Sequence, residues 1–224
     1  MAALTYPDLQ LNHLQGLIPE SFGNMIALKY LDLSSNQLDG YHPKYFTNMT
    51  GLTYLDLSGI DQFKGSIPES FGSMISLTHL HLLGQQLDGL LQESFGNLTA
   101  LLTDLDLAFN QLEGFNPCSF GNMTSLEYLD LSKNMLEGEI PTSIWKARTM
   151  RELRANNNTL SGELRFAESS SKSCANLSLE YLDSSHNRIT GSLPDFTLYP
   201  SLKQLLLFAN QPSGNVSQSI GQLC

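Results

Sequence analysis

Five residues that could do chemistry recur at nearly constant intervals: Asp32, Asp56, His81, Asp106 and Asp130 follow one another at 24 or 25 residues. His79 stands two positions before His81, so on an extended strand both imidazoles face one side. With Asp56 and Asp106 on the adjoining strands, the four could hold a divalent cation through imidazole nitrogen and carboxylate oxygen. Exposed histidines on an acidic surface need no ligand, however, and no metal is expected. Asp56 and Asp106 raise a second chemistry. Two strand spacings put them about 9.6 Å apart, close to the roughly 6.5–9.5 Å between the two carboxylates of an inverting glycosidase. An acid at nearly every interval makes some pair at that distance unavoidable, so the spacing carries no catalytic reading. No G-x-S-x-G, phosphate-binding loop, H-E-x-x-H or kinase motif occurs. The chain is expected to be non-catalytic and to need no cofactor.

Recognition is the third chemistry. If the intervals are turns of one repeating structure, the outward positions of successive strands include Tyr30 with Asp32, Tyr54 with Asp56, His79 with His81, Asp106, and Tyr128 with Asp130. Carboxylates on strands about 4.8 Å apart form a stripe of like charge that would attract a basic partner. Residues that depart from the repeated Asp pattern are the most informative: His79, His81, Phe109, Lys133, Arg151 and Arg154. Tyr128 near Arg151 and Arg154 has the composition of an interface anchor, because aromatic rings and guanidinium groups dominate binding energy where they are buried.

The element that must position these residues is legible throughout the chain. A glycine in an L-x-x-L-x-L-x-x-N-x-L-x-G frame falls at Gly16, Gly40, Gly65, Gly89, Gly114, Gly138, Gly162, Gly191 and Gly214, spaced 24, 25, 24, 25, 24, 24, 29 and 23 residues apart. Ile60 in "LDLSGIDQF" and one residue in "ALLTDLDL" account for two long intervals. The interval of 29 holds "RFAESSSKSCANLS", which matches nothing else in the sequence. Within "LEYLDLSKNMLEGEIP", Leu129 and Leu131 alternate with Tyr128, Asp130 and Ser132, the period of a strand with one buried face. Leu126, Leu136 and Ile140 close the same core. A polar residue recurs among these apolar ones, at Asn12, Asn36, Asn110, Asn134, Asn158, Asn187 and Asn210. A buried amide is tolerated when its donors and acceptor are used, so these seven are expected to form a ladder bonded to neighbouring turns. Asp61 and Gln85 interrupt it. The pattern predicts an α/β solenoid: a right-handed leucine-rich superhelix of about nine repeats spanning 1–224. Its short parallel strands would lie on the concave face and mostly irregular or 3-10 turns on the convex face. A longer, cysteine-containing repeat falls near 163–191.

Composition limits the partners. A net charge of -10 and a pI near 4.8 disfavour nucleic acid, whose phosphates need cations. No apolar run approaches the roughly 20 residues of a membrane-spanning helix. The start, "MAALTYPDLQL", lacks a charged region followed by an apolar one, so no signal peptide is read there. Six N-x-S/T sequons begin at Asn48, Asn97, Asn122, Asn157, Asn176 and Asn215, more than the one or two that chance supplies. They favour an extracellular glycoprotein. Cys118, Cys174 and Cys224 are odd in number, which suggests a missing partner, and their pairing stays open. The chain lacks recognisable end caps.

The combined frame L-x-x-L-x-L-x-x-N-x-L-x-G-x-I-P, intact from Leu126 to Pro141, resembles the plant-specific leucine-rich repeat over essentially the whole chain. The run "SCANLSLEYLDSSHNRITGSLPDF" is similar to the ectodomains of plant receptor-like proteins, where a cysteine-bearing longer repeat precedes L-T-G-x-L-P-D. That resemblance implies a recognition module on the apoplastic face of the plasma membrane, binding a protein or peptide ligand, or a glycan. It also implies a co-receptor kinase and a role in defence or development. The full-length family carries a signal peptide and a membrane anchor, and neither is expected within these 224 residues. The alternative resemblance is to polygalacturonase-inhibiting proteins, which share the repeat and cover the cleft of a cell-wall-degrading enzyme.

Overall fold

The computed structural model describes residues 3–91, 101–114, 123–165, 177–216 and 218–222. The sequons at Asn97, Asn122 and Asn176, the three cysteines and most of the long insertion lie outside these residues.

The alternating leucines build one parallel sheet of eight short strands, ordered by turn. They are Tyr30–Asp32, Tyr54–Asp56, His79–His81, Asp104–Asp106, Tyr128–Asp130, Glu152–Arg154, Tyr181–Asp183 and Gln204–Leu206. A bridge from Asp8 to Asp32 extends the sheet by one position. Register holds from turn to turn: Leu31 pairs with Leu55, Leu55 with Leu80, Leu80 with Leu105, and Leu105 with Leu129. The central leucine of each strand therefore points inward. Leu31, Leu55, Leu80, Leu105, Leu129, Leu153 and Leu182 are all fully buried in one continuous core.

A second ribbon of parallel strands follows the first. Gln15–Gly16, Gln37–Gly40, Gln62–Ser66, Gln86–Leu90 and Gln111–Glu113 form five members, and Glu137–Gly138, Thr159–Glu163 and Arg188–Thr190 form three more. The convex side is made of 3-10 turns at Glu20–Asn24, Lys44–Asn48, Glu69–Ser73, Ile144–Lys146, Phe196–Leu198 and Gln218–Gln222. Pro19, Pro43 and Pro68 start the first three from extended backbone, as a ring-fixed φ near -65° favours. Phe46, Phe71 and Phe196 anchor three of these turns in the core. The extra residue Ile60 is also fully buried, so the insertion adds to the core instead of looping out.

The asparagine ladder carries the spacing between turns. Asn110 Nδ2 donates to Leu82 O of the preceding turn at 2.9 Å and to Leu107 O and Ala108 O of its own, while its Oδ1 accepts from Leu87 N. Asn36, Asn134, Asn158 and Asn187 repeat this pattern, and Asn210 bonds Ser184 O and Ile189 N in the same way. Asn12 is exposed and bonds only Leu9 O and Gln10 O within its own turn. Gln85, where the ladder changes residue, still reaches the preceding turn through Leu57 O. Its carbonyl is free for another partner because Phe63 N, in the place of Leu87 N, bonds Ile60 O.

Two backbone positions in each turn take positive φ. One is the frame glycine, as at Gly40 with φ 98°. The other, which the sequence pattern does not reveal, immediately precedes the ladder asparagine in most turns. Leu11, Ser35, Phe109, Lys133, Asn157, His186 and Ala209 hold φ between 51° and 56° there, with Gly59 and Gly84 filling the place in two turns. Side chains tolerate this region poorly, so the inter-turn hydrogen bonds of the ladder must hold them there.

Candidate functional site

The concave strands carry their chemistry in Y-x-D pairs. Tyr30 donates its hydroxyl to Asp32 Oδ2 at 3.2 Å, Tyr54 to Asp56 at 3.3 Å, and Tyr128 to Asp130 at 3.2 Å. The other carboxylate oxygen of each aspartate turns back on the chain. Asp32, Asp56, Asp106 and Asp130 accept from the backbone N–H two residues on, at Ser34, Ser58, Ala108 and Ser132. The acids predicted to form an open stripe are thus partly consumed by the fold, and Asp32 and Asp130 are buried. Burial and the neighbouring carboxylate push the phenols of Tyr30, Tyr54 and Tyr128 above their ordinary value, which keeps them protonated as donors.

The tyrosine rings stack across turns. Tyr6 lies 3.9 Å from Tyr30 and Tyr30 lies 4.4 Å from Tyr54, ring centre to ring centre. His79 continues the row at 5.6 Å from Tyr54, and Thr78 Oγ1 lies 2.9 Å from its Nδ1. His81 turns the other way. Its Nδ1 is 3.3 Å from Asp56 Oδ2 and its Nε2 3.1 Å from Asp104 Oδ1, so one imidazole ties three strands together. Burial works to lower the His81 value, but the hydrogen bonds and charges of Asp104 and Asp56 outweigh it and raise it to about 10. His81 is therefore an imidazolium at neutral pH. Asp56 is held below the carboxylate range, since its bonds from His81 and Ser58 outweigh burial. The two histidines do not converge on one point, and among the described residues no group of three or more His, Cys, Asp or Glu could hold a metal ion.

The sixth to eighth strands are internally compensated. Arg151 pairs with Glu127 and Glu180, each at 3.2 Å, and Lys203 also reaches Glu180. Arg154 pairs with Glu152 and lies over the rings of Tyr181 at 5.0 Å and Tyr128 at 5.9 Å. Of Tyr128, Arg151 and Arg154, grouped from sequence as a patch, Tyr128 and Arg154 meet in one cluster and Arg151 belongs to another with Glu127 and Glu180. Lys133 sits 4.0 Å over the half-exposed ring of Phe109.

Between these regions the face opens into a groove of about 470 Å³. Its lining includes Asp56, His81 and Asp106 from the strands, the glycines Gly59 and Gly84, and Ser35 and Phe109. Of the residues nominated from sequence, Asp56, His81, Asp106 and Phe109 meet here. Sequence reasoning missed Ser35, Asp61 and the two glycines. The available signal was position: Gly59 and Gly84 occupy the left-handed column, where the other turns carry side chains.

Among the remaining proposed sites, Asn48, Asn157 and Asn215 are exposed. Asn48 ends a convex 3-10 turn, whereas Asn157 belongs to the left-handed column beside the strand face.

Residues 3–63 and 100–160 match a family model described as leucine rich repeat, and residues 178–197 match a second of the same description. No match is found among curated proteins. Among solved structures, a plant ice-binding protein superposes with a TM-score of 0.83 at 31% identity, covering 95% of this chain and 66% of its own. The Arabidopsis receptor kinase HAESA, solved with the peptide hormone IDA and the co-receptor SERK1, gives 0.77 at 32% identity, covering 99% of this chain and 40% of its own. The receptor PEPR1, solved with AtPEP1, gives 0.69 at 29% identity and covers 93% and 35%. The chain thus spans about two thirds of the ice-binding protein and two fifths or less of these receptors. Its repeat frame, the register of its strands and this likeness along nearly its whole length place the protein in the leucine-rich-repeat family, in the form seen in plant receptor ectodomains.

Proposed function

We propose that this chain is a non-catalytic recognition module whose concave strand face binds a peptide or protein ligand. In this reading it belongs to the extracellular part of a plant cell-surface receptor-like protein that signals through a co-receptor kinase in defence or development. The supporting observation is the uneven use of the strand face. Ion pairs compensate the sixth to eighth strands, whereas the second to fourth border an open groove lined by carboxylates, a fixed imidazolium and an aromatic ring. The likeness to HAESA, which was solved with a peptide hormone, supports the same ligand class. Sugars at Asn48 on the convex side would leave this face clear.

Calorimetry against a panel of extended peptides tests the reading. Replacing Tyr128 and Arg154 by alanine is expected to weaken binding about tenfold or more, because anchors at an interface centre carry most of its energy. Replacing the exposed convex residues Glu20 and Lys44 is expected to leave it nearly unchanged. The reverse sensitivity overturns the strand-face assignment. Raised salt should slow association more than it speeds dissociation, since exposed charges steer encounter more than they hold the complex.

A further inference from the structure

We infer that the groove at Gly59 and Gly84 is a seat for an arginine side chain of the ligand, with Asp106 as its anchoring carboxylate. This inference rests on the strand-face reading and names the group that face selects.

Three features of the groove carry it. The first is how the opening is made. In seven of the nine turns the left-handed column carries a side chain, among them Phe109, Lys133 and Asn157, so the fold does not demand glycine there. Packing does not demand it either: a Cβ built on Gly84 would come no closer than 3.9 Å to a neighbouring heavy atom, and one on Gly59 no closer than 3.4 Å. Two adjacent glycines therefore leave open space where a third and fourth side chain would stand.

The second feature is an incomplete acid. At Asp32, Asp56 and Asp130 the tyrosine two residues earlier donates to Oδ2. At Asp106 that position is Asp104, which has no proton to give and is already used by His81. Asp106 keeps the backbone bond from Ala108 to Oδ1, and its Oδ2 receives no hydrogen bond among the described residues. Burial, opposed by that bond and reinforced by Asp130, pushes its carboxyl up to about 6. A carboxylate strained in this way gains most from a cation placed beside it.

The third feature is charge and acceptor geometry. His81, the cation among the described lining residues, has both ring nitrogens committed to Asp56 and Asp104, so it acts on Asp106 only through space, an attraction that burial, Asp130 and Asp104 outweigh. Asp61 adds an exposed carboxylate, and the Ser35 and Ser58 hydroxyls add acceptors around the opening. Acceptors spread around a half-open groove suit a planar guanidinium with five N–H donors better than a compact ammonium.

The experiment uses the 224-residue chain and two neutral-backbone probes, N-acetyl-argininamide and its uncharged isostere N-acetyl-citrullinamide. Binding is followed by two-dimensional NMR at the Gly59 and Gly84 amides. The arginine probe is expected to shift both amides saturably, with an affinity about tenfold above that of the citrulline probe. Asp106→Asn is expected to abolish that preference. Gly84→Asn, which places in the groove a residue the column already accepts at Asn157, is expected to block the probe while the spectrum stays folded. Because the probe needs ionised Asp106, faced by His81, Asp104, Asp56 and Asp130, its affinity should fall as pH drops below about 6. Equal affinity for the two probes, unchanged binding by Asp106→Asn, or no saturable shift at these amides overturns the inference. If a peptide ligand still depends on Tyr128 and Arg154 in that event, the strand-face reading stands and only the arginine seat falls.

Discussion

His42 Nε2 lies 2.8 Å from Gln85 Oε1, joining residues 43 positions apart inside the core. Gln85 gives its amide hydrogens to Leu57 O, so its oxygen must accept and the imidazole must carry its proton on Nε2. Nδ1 then has no hydrogen-bond partner among the described residues, and the imidazole packs edge-on against the rings of Phe63 and Phe71. Burial lowers the His42 value to about 4, against a smaller upward pull from Gln85. Between pH 4 and about 6.5 the unfolded chain binds a proton that the folded chain refuses. Stability should therefore fall as pH drops through that window, by on the order of 3 kcal/mol from this residue. Urea unfolding of His42→Gln should show a shallower loss between pH 6.5 and 4 than the parent. An equally steep loss would mean that the imidazole is not the buried, neutral group described.

His81 has the opposite sign. Its folded value of about 10 lies above the ordinary one, so its stabilisation is complete below about pH 6.5 and is lost as pH rises through about 10. Imidazole NMR at pH 8 should find both ring nitrogens still protonated. A neutral ring at that pH would dissolve the clamp between Asp56 and Asp104. His81→Gln should remove the corresponding alkaline loss of stability.

Asn110 and Asn12 carry the same side chain at equivalent places but different bonds. Removing the buried amide of Asn110 orphans Leu87 N and frees carbonyls in two turns, so Asn110→Ala should cost at least about 2 kcal/mol. Asn12→Ala, on an exposed amide bonded only within its turn, should cost less than about 1 kcal/mol. Denaturant midpoints compare the two directly. Similar losses would show that position in the repeat, not the inter-turn bonds, sets the energy.

Leu131 is fully buried between neighbouring turns. Leu131→Ala should cost about 2–5 kcal/mol through lost burial and the cavity left behind. Glu139, exposed on the second ribbon's flank, should tolerate alanine with a change of less than about 0.5 kcal/mol. Equal effects in thermal unfolding would contradict the strand register.

The strand register and the asparagine ladder were readable from sequence because each rests on a fixed residue type at a fixed interval. Leu129 and Leu131 alternate, and Asn134 and Asn158 recur 24 residues apart. The left-handed column was not readable. Leu11, Ser35, Phe109, Lys133 and Asn157 share a backbone conformation and no chemistry, so nothing in their types announces it. The same limit applied to Asp32. Its type suggests an exposed charge, yet a two-residue hydrogen bond to Ser34 and a cover from Tyr30 draw it into the surface. The His42–Gln85 pair was hidden because its members come from turns that are not consecutive. The site was therefore legible as a face and not as a groove.

Strand spacing has a consequence for any ligand that lies across the turns. Parallel strands repeat about every 4.8 Å, while an extended peptide advances about 3.3 Å per residue. Two turns then span about 9.6 Å and three ligand residues about 10 Å, so the two lattices coincide like the scales of a vernier. A side chain seated between Gly59 and Gly84 would bring the ligand residue three positions away level with the strand two turns along but facing outward. The residue six positions away, on the same face, would lie level with the strand four turns along, while those between would meet no equivalent seat. Selectivity on such a surface would reside less in the composition of the ligand than in the interval between its reading points.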